Sequence, residues 1–171
     1  YLYKFLSVFS NTSLEYAAII FPVIFFGASI VVFFFFIRRI FLRRTEFQKS
    51  SIAILTTALY SVTPLMQHRT TAGIPELESA GLFFFWLSFL LFLYAFESKG
   101  VLFSKFFSNY INKKYLFAFL SGISTCLMIF TWGGFRFIFM AISLSVLIAF
   151  IIGKIKKEEK IIYTLWFLPS I

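Results

Sequence analysis

The sequence YAAIIFPVIFFGASIVVFFFFI at residues 16–37 contains 22 consecutive positions without a charged side chain. At about 1.5 Å per residue, a helix of this length crosses a hydrocarbon core of about 30 Å. The run ends directly at Arg38 and Arg39, the first members of a basic cluster. This stretch therefore predicts a membrane-spanning helix, and it sets how the sequence on either side is interpreted.

The composition of the whole chain agrees with a membrane protein. Hydrophobic residues make up 60% of the sequence and charged residues only 13%, which excludes an ordinary soluble domain. The net charge of +9 would suggest a nucleic-acid partner in a soluble protein. Here the basic residues form short clusters between apolar runs, so we expect the lipid bilayer as a partner and no nucleic acid. The single cysteine, Cys126, cannot build a disulfide framework or a thiolate metal site.

Further apolar runs follow the first one. The fold class predicted from them is all-α, a polytopic transmembrane helix bundle with five complete spans, the start of a sixth, and short in-plane helices. Pro64 should kink or end the second span. The spans are expected at residues 16–37, 50–67, 80–96, 115–131 and 137–153, the sixth begins at 161, and the in-plane helices lie within 1–15 and 102–111.

The basic residues also predict the orientation of the spans. The three loops assigned to the cytoplasm hold thirteen Lys and Arg residues, whereas the external segments hold Lys4, Arg69 and Arg136. Lysine and arginine accumulate on the cytoplasmic side of membrane proteins. The loop between the second and third spans is therefore predicted on the non-cytoplasmic side.

This external loop, RTTAGIPELE at residues 69–78, carries the candidate chemistry. Glu76 and Glu78 are two residues apart, and on irregular backbone their oxygen atoms can converge on a hard cation such as Mg²⁺, Mn²⁺ or Ca²⁺. Pro75 followed by two carboxylates is also typical of a helix N-terminus. Spacing alone favours the helix start over a metal site, although the two are compatible. The only histidine, His68, is left out of the site.

Two motifs give a resemblance to a known family. Residues 69–78 resemble the Arg-x-x-Ala-Gly-x-x-acidic-x-acidic stretch in an external loop of the catalytic subunit of oligosaccharyltransferase, the enzyme of asparagine-linked protein glycosylation. Further along, TWGGF at residues 131–135 is similar to the Trp-Gly-Gly-aromatic segment of that family. Both motifs occur in the family's order and on the same predicted membrane face.

The resemblance implies a GT-C class membrane glycosyltransferase with defined partners. Its donor would be an oligosaccharide on a polyprenyl or dolichyl phosphate or pyrophosphate, and its acceptor a polypeptide with Asn-x-Ser/Thr. It implies Mn²⁺ or Mg²⁺, with Glu76 as a metal ligand and Glu78 as the second acidic residue near the metal. Arg69 is expected to be a positive group beside the site that supports a donor phosphate or Glu76.

The sequence departs from the family at one position and covers only part of it. The first acidic residue is commonly Asp in the family and is Glu76 here, one methylene longer. The family's first acidic motif, its later acidic external loop and its soluble C-terminal domain with a Trp-Trp-Asp motif are not in this chain. We therefore expect further spans on both sides and no activity from this fragment alone.

Other functions stay open at this point. Another lipid-phosphosugar-dependent glycosyltransferase would share external acidic residues without the paired motifs, and a non-catalytic membrane subunit would use the two glutamates only to cap a helix. A transporter normally places ionisable residues near the bilayer midplane, and the five predicted spans contain none.

Overall fold

All regular elements in the described part of the chain are helical. The computed structural model describes residues 14–64, 70–72, 77–97, 113–153, 155 and 157–171. Within these ranges the prediction of an all-α fold is confirmed. The helices are α1 (Leu14–Ile40), α2 (Glu46–Val62), α3 (Glu78–Glu97), α4 (Lys113–Thr131), α5 (Phe135–Ile151) and α6 (Lys157–Phe167), followed by a short 3-10 helix (Leu168–Ser170).

Three helices are long and apolar enough to cross a membrane. They are most of α1 (Glu15–Ile40), nearly all of α3 (Glu78–Phe96) and the whole of α4, and they coincide with the first, third and fourth predicted spans. Their 19 to 26 residues correspond to at least about 28 Å of helix, close to the thickness of a hydrocarbon core. This is the length and composition of a helical membrane protein.

The remaining spans stay predictions. Helix α5 is apolar but has only 17 residues. Helix α2 also has 17 residues, and it ends at Val62 instead of position 67 because Thr63, which precedes Pro64, is extended (φ −63°, ψ 122°). The helix thus ends just before Pro64, which was expected to kink or end it, whereas its role as a second span stays a prediction. The predicted in-plane helices lie outside the described residues, except for Leu14 and Glu15, which begin α1.

The chain divides into two compact units, Tyr1–Trp86 and Leu87–Ile171. In the first unit, α1 and α2 pack around Phe33, Ile37 and Ala53. Ala53 is fully buried, and its small side chain lets the two helices approach closely. The core of this unit is therefore formed by large aromatic and branched side chains of α1 against a small residue of α2.

Aromatic side chains extend this core to the first turns of α3. The Phe33 ring lies 4.6 Å from Tyr60 and 4.5 Å from Trp86, measured between centroids. The Trp86 indole N–H donates a hydrogen bond of 3.2 Å to the Tyr60 hydroxyl. Because buried indole and phenol groups need polar partners, this bond lets both rings enter an apolar core. It holds α3 against α2 within the first unit.

In the second unit, α4 packs tightly against α6 and the 3-10 helix. Gly122 of α4 faces the backbone carbonyl of Trp166 and the ring of Pro169, and a Cβ atom at this glycine would collide with both. Trp166 is fully buried and contacts Phe92 and Phe139. The missing side chain at Gly122 thus allows the backbones to meet, as is typical of helix contacts in membranes.

A buried network of hydroxyl groups joins three helices of the second unit. The Ser88 Oγ lies 2.7 Å from Thr125 Oγ1, and Ser121 Oγ donates to the Ser88 carbonyl at 2.7 Å. The Trp166 indole N–H donates to Thr125 Oγ1 at 3.1 Å. All four side chains are fully buried, so each polar atom depends on the others for its hydrogen bonds. The network fixes the C-terminal half of α3 and helix α6 against α4.

Candidate functional site

Glu78 is the one predicted site residue that the structure describes. It is the first residue of α3 and its side chain is half-buried. Arg69 and Glu76 lie outside the described residues. The predicted grouping of these three side chains therefore stays a prediction, and the described geometry concerns the surroundings of Glu78.

The beginning of α3 is set by backbone hydrogen bonding at Leu77. The Gly81 N–H donates to the Leu77 carbonyl at 3.0 Å, and Leu77 itself lies in a turn. Helix α3 thus begins at Glu78, two residues before the expected start of the third span at residue 80. Glu78 therefore lies in the first turn, where unpaired N–H groups and the helix dipole favour negative charge.

Ser79 places a second polar group at this end of α3. Its side chain is fully buried, and within the described part of the chain its Oγ has no hydrogen-bond partner. Thr70 is also buried, with 5% of its surface exposed. The segment that carries Glu78 therefore combines a half-buried carboxylate with buried hydroxyl groups. The first two residues of this apolar helix are therefore polar.

A metal at this place would depend on residues beyond those described. Among residues 14–64, 70–72, 77–97, 113–153, 155 and 157–171, no group of three or more His, Cys, Asp or Glu side chains is arranged to hold an ion. Glu78 offers carboxylate oxygen atoms, the donor type that Mg²⁺ and Mn²⁺ prefer. The donor chemistry of Glu78 fits the implied metal, and Glu76, the metal ligand that the resemblance implies, lies outside the described residues.

The Trp-Gly-Gly motif forms the turn between α4 and α5. Helix α4 ends at Thr131, the Trp132 N–H donates to the Met128 carbonyl at 2.8 Å, and α5 begins at Phe135. The predicted tight connection is confirmed, whereas its external location stays a prediction. The Trp132 indole packs against Gly134, and a Cβ atom at Gly134 would lie only 2.6 Å from the indole ring. Glycine is required at this position for the indole to lie flat on the turn.

The first turn of α5 presents exposed side chains beyond this motif. Arg136 is exposed and Phe137 has 64% of its surface exposed. The Trp132 ring is half-buried beside them in sequence. An aromatic ring, a cation and an exposed phenylalanine at the end of an apolar helix are typical of a membrane–water interface. A role of Trp132 and Arg136 as interfacial anchors therefore accounts for the turn as well as the family resemblance does.

Sequence reasoning did not identify the buried hydroxyl network. Its signal is the spacing of Ser121 and Thr125, which are four residues apart in an otherwise apolar helix and so share one face. Ser88, which completes the network, lies alone among apolar residues. Nothing in its local sequence distinguishes a hydroxyl that bonds to its own helix from one that bonds across helices.

Comparison with protein-family models and with curated protein sequences finds no match to this chain. The two motifs, the helices beside them and the chemistry of their side chains are therefore what indicates a function.

Proposed function

We propose that this chain forms part of the membrane domain of an oligosaccharyltransferase. The enzyme transfers an oligosaccharide from a polyprenyl phosphate or pyrophosphate to the side-chain amide of Asn in Asn-x-Ser/Thr. The main support for this proposal is that each motif adjoins a helix of membrane-spanning length. The acidic motif at residues 69–78 leads into α3, the Trp-Gly-Gly motif directly follows α4, and both helices are long and apolar enough to cross a membrane.

The position of Glu78 supports a substrate that is itself a lipid. Its carboxylate is on the first residue of a 20-residue apolar helix, so in a membrane it lies where the apolar core meets water. The phosphate of a polyprenyl carrier lies at that depth because its chain stays in the hydrocarbon region. A polar site at the end of a span therefore reaches the reacting group without extracting the lipid.

The charges of the motif suit the chemistry of this transfer. Glu76 and Glu78 supply oxygen ligands, and Arg69 supplies a fixed positive charge that binds a phosphate oxygen or orients a carboxylate. The divalent ion, when bound, neutralises negative charge that develops on the leaving phosphate. The buried hydroxyl of Ser79 adds a polar neighbour to Glu78.

The direct test is glycan transfer by the intact protein in membranes. An Asn-x-Thr peptide and a lipid-linked donor are supplied before and after chelation, with Mn²⁺ then restored. We expect transfer that chelation abolishes and Mn²⁺ recovers. Glu76→Gln should lower transfer by at least about a hundredfold at unchanged expression, because the isostere keeps the volume and loses the charge.

Glu159→Gln is the matched control because it makes the same isosteric change in α6, outside both motifs. It should keep transfer near the wild-type rate. Wild-type activity in Glu76→Gln would leave a structural role for that residue. Absence of transfer by the intact wild-type protein, with a donor that a known enzyme accepts, would reject the proposed reaction.

The orientation is tested by cysteine labelling in intact cells. Single cysteines at positions 74 and 47 are introduced after Cys126→Ser, because Cys126 is the only native cysteine. A membrane-impermeant maleimide should label position 74 from outside and position 47 only after the cells are opened. The reverse pattern would invert the topology and place the acidic motif in the cytoplasm.

A further inference from the structure

The turn between α1 and α2 carries a dense positive charge. Residues 38–49, which we name the basic turn, contain four arginines and one lysine against a single carboxylate, Glu46. The candidate span in α1 ends at Ile40, within this segment. In a membrane, the basic turn therefore begins at the lipid–water boundary and not at a distance from it.

The single carboxylate is already neutralised within the turn. Glu46 accepts hydrogen bonds from Lys49 Nζ at 2.5 Å and from Arg38 at 3.0 Å. Lys49 is buried, with 8% of its surface exposed. Both interactions lower the pKa of Glu46 below its ordinary value, the hydrogen bond from Lys49 being the larger cause. Glu46 therefore stays ionised and its charge is balanced by these two partners.

Two arginines remain available for an external anion. Arg43 and Arg44 are exposed, and neither has an ion pair within the described part of the chain. The Arg44 backbone N–H donates a hydrogen bond of 3.0 Å to the Phe41 carbonyl. This bond closes the turn and holds the backbone that carries Arg43 and Arg44. Guanidinium groups bind phosphate oxygen atoms through paired N–H donors. The basic turn thus presents two exposed guanidinium groups that can bind phosphate.

Exposed apolar side chains beside these arginines identify the source of the anion. Phe47 is 82% exposed and Leu42 is 44% exposed. Both lie within four residues of Arg43, so cationic and large apolar side chains share one short segment. The candidate span in α1 ends at Ile40, so in a membrane both apolar side chains lie beside lipid, and a nucleic acid offers no apolar layer for Phe47. A phospholipid offers both an anionic headgroup and an adjacent apolar layer.

We propose that the basic turn is a binding site for anionic phospholipid. Arg43 and Arg44 bind the headgroup phosphate, and Phe47 enters the boundary between headgroups and acyl chains. The ion pairs of Glu46 with Arg38 and Lys49 keep the one carboxylate of the basic turn from competing for the two arginines. This site does not depend on glycan transfer, and its failure leaves the proposed reaction untouched.

The test measures lipid retention on the intact protein by native mass spectrometry. Protein in detergent is titrated with phosphatidylglycerol or with phosphatidylcholine, and the dissociation constants of the two lipids are compared. Arg43→Gln/Arg44→Gln should weaken phosphatidylglycerol binding by about thirtyfold, since each basic group near an anionic surface contributes about 1 kcal/mol, or about fivefold. Arg43→Lys/Arg44→Lys keeps the charge and should recover most of the preference.

The matched control is Lys157→Gln/Lys160→Gln, which removes the same charge from α6 and leaves the basic turn unchanged. It should keep the wild-type preference for phosphatidylglycerol. An equal loss in this variant would show that net charge alone attracts the lipid, and it would overturn the site. No change in Arg43→Gln/Arg44→Gln would overturn it as well. Phe47→Gln should weaken both lipids and leave their ratio unchanged.

Discussion

Thr125→Val tests whether the buried hydroxyl network stabilises the second unit. The substitution keeps the shape of the side chain and removes Oγ1. In the structure, this atom accepts from the Trp166 indole at 3.1 Å and lies 2.7 Å from Ser88 Oγ. It also donates to the Ser121 carbonyl at 3.0 Å. Valine therefore leaves the indole N–H of a fully buried tryptophan without an acceptor.

The expected cost follows from these contacts. A buried donor that loses its partner costs about 1–3 kcal/mol. A hydrogen bond between membrane helices contributes about 0.6 kcal/mol, and Ser88 keeps its other bonds to Ser121. We therefore expect Thr125→Val to lower the free energy of unfolding by about 2–3 kcal/mol. The largest part comes from the orphaned indole and not from the lost bond itself.

Unfolding in increasing fractions of sodium dodecyl sulfate measures this change. Thr164→Val is the matched control, because the Thr164 hydroxyl is exposed and bonds only to the Lys160 carbonyl of its own helix. It should change the free energy of unfolding by less than about 0.5 kcal/mol. In a Trp166→Phe background the indole N–H is absent, so the cost of Thr125→Val should fall by about 1–2 kcal/mol.

Two results would refute this reasoning. If Thr125→Val were as stable as Thr164→Val, the indole would have found another partner and the network would not stabilise the unit. If the costs of Thr125→Val and Trp166→Phe added exactly, the two side chains would not be coupled. Either result would leave close packing of α4 against α6 as the source of stability.

Two further perturbations follow from single contacts. Gly122→Ala should lower the free energy of unfolding by about 1–3 kcal/mol, because the new Cβ would collide with the Trp166 carbonyl. Gly27 has open space around it, so Gly27→Ala should leave the free energy of unfolding unchanged or raise it in the same assay. The lowered pKa of Glu46 means that its ion pairs stabilise the fold above the ordinary value of 4.5 and are lost as the pH falls through the lowered one. We expect the thermal unfolding temperature of the wild type to fall as the pH is lowered from about 6, and that of Lys49→Met to fall less. An equal dependence of the unfolding temperature on pH in both proteins would contradict this prediction.

The positions of the main apolar helices could be predicted closely. The first span was expected at residues 16–37 and α1 is Leu14–Ile40; the fourth was expected at 115–131 and α4 is Lys113–Thr131. The length and the hydrophobicity of an apolar run can be read from its own residues, without knowledge of the packing. The end of α2 before Pro64 is also a local effect, because proline disfavours the helical conformation of the residue that precedes it.

The candidate site could be predicted only as far as its residue types. The motifs identified Glu76, Glu78 and Trp132, but the exact start of α3 at Glu78 depends on the hydrogen bond to the Leu77 carbonyl. Proline and two carboxylates are compatible with several starting positions within one turn. The close fit of Trp132 on Gly134 likewise depends on the conformation of the turn between two helices.

The helical, apolar character of the chain and its basic interruptions can be predicted from the sequence, because each is a property of a single stretch. The choice of which polar groups meet in the interior depends on how the helices pack. Ser88 and Thr125 are 37 residues apart, and Thr125 and Trp166 are 41 apart. A serine or threonine hydroxyl can bond to a carbonyl of its own helix, as Thr125 does to Ser121, so local sequence does not fix its second partner. The close approach of α4 to Trp166 at Gly122 is a tertiary contact that brings the indole N–H to Thr125.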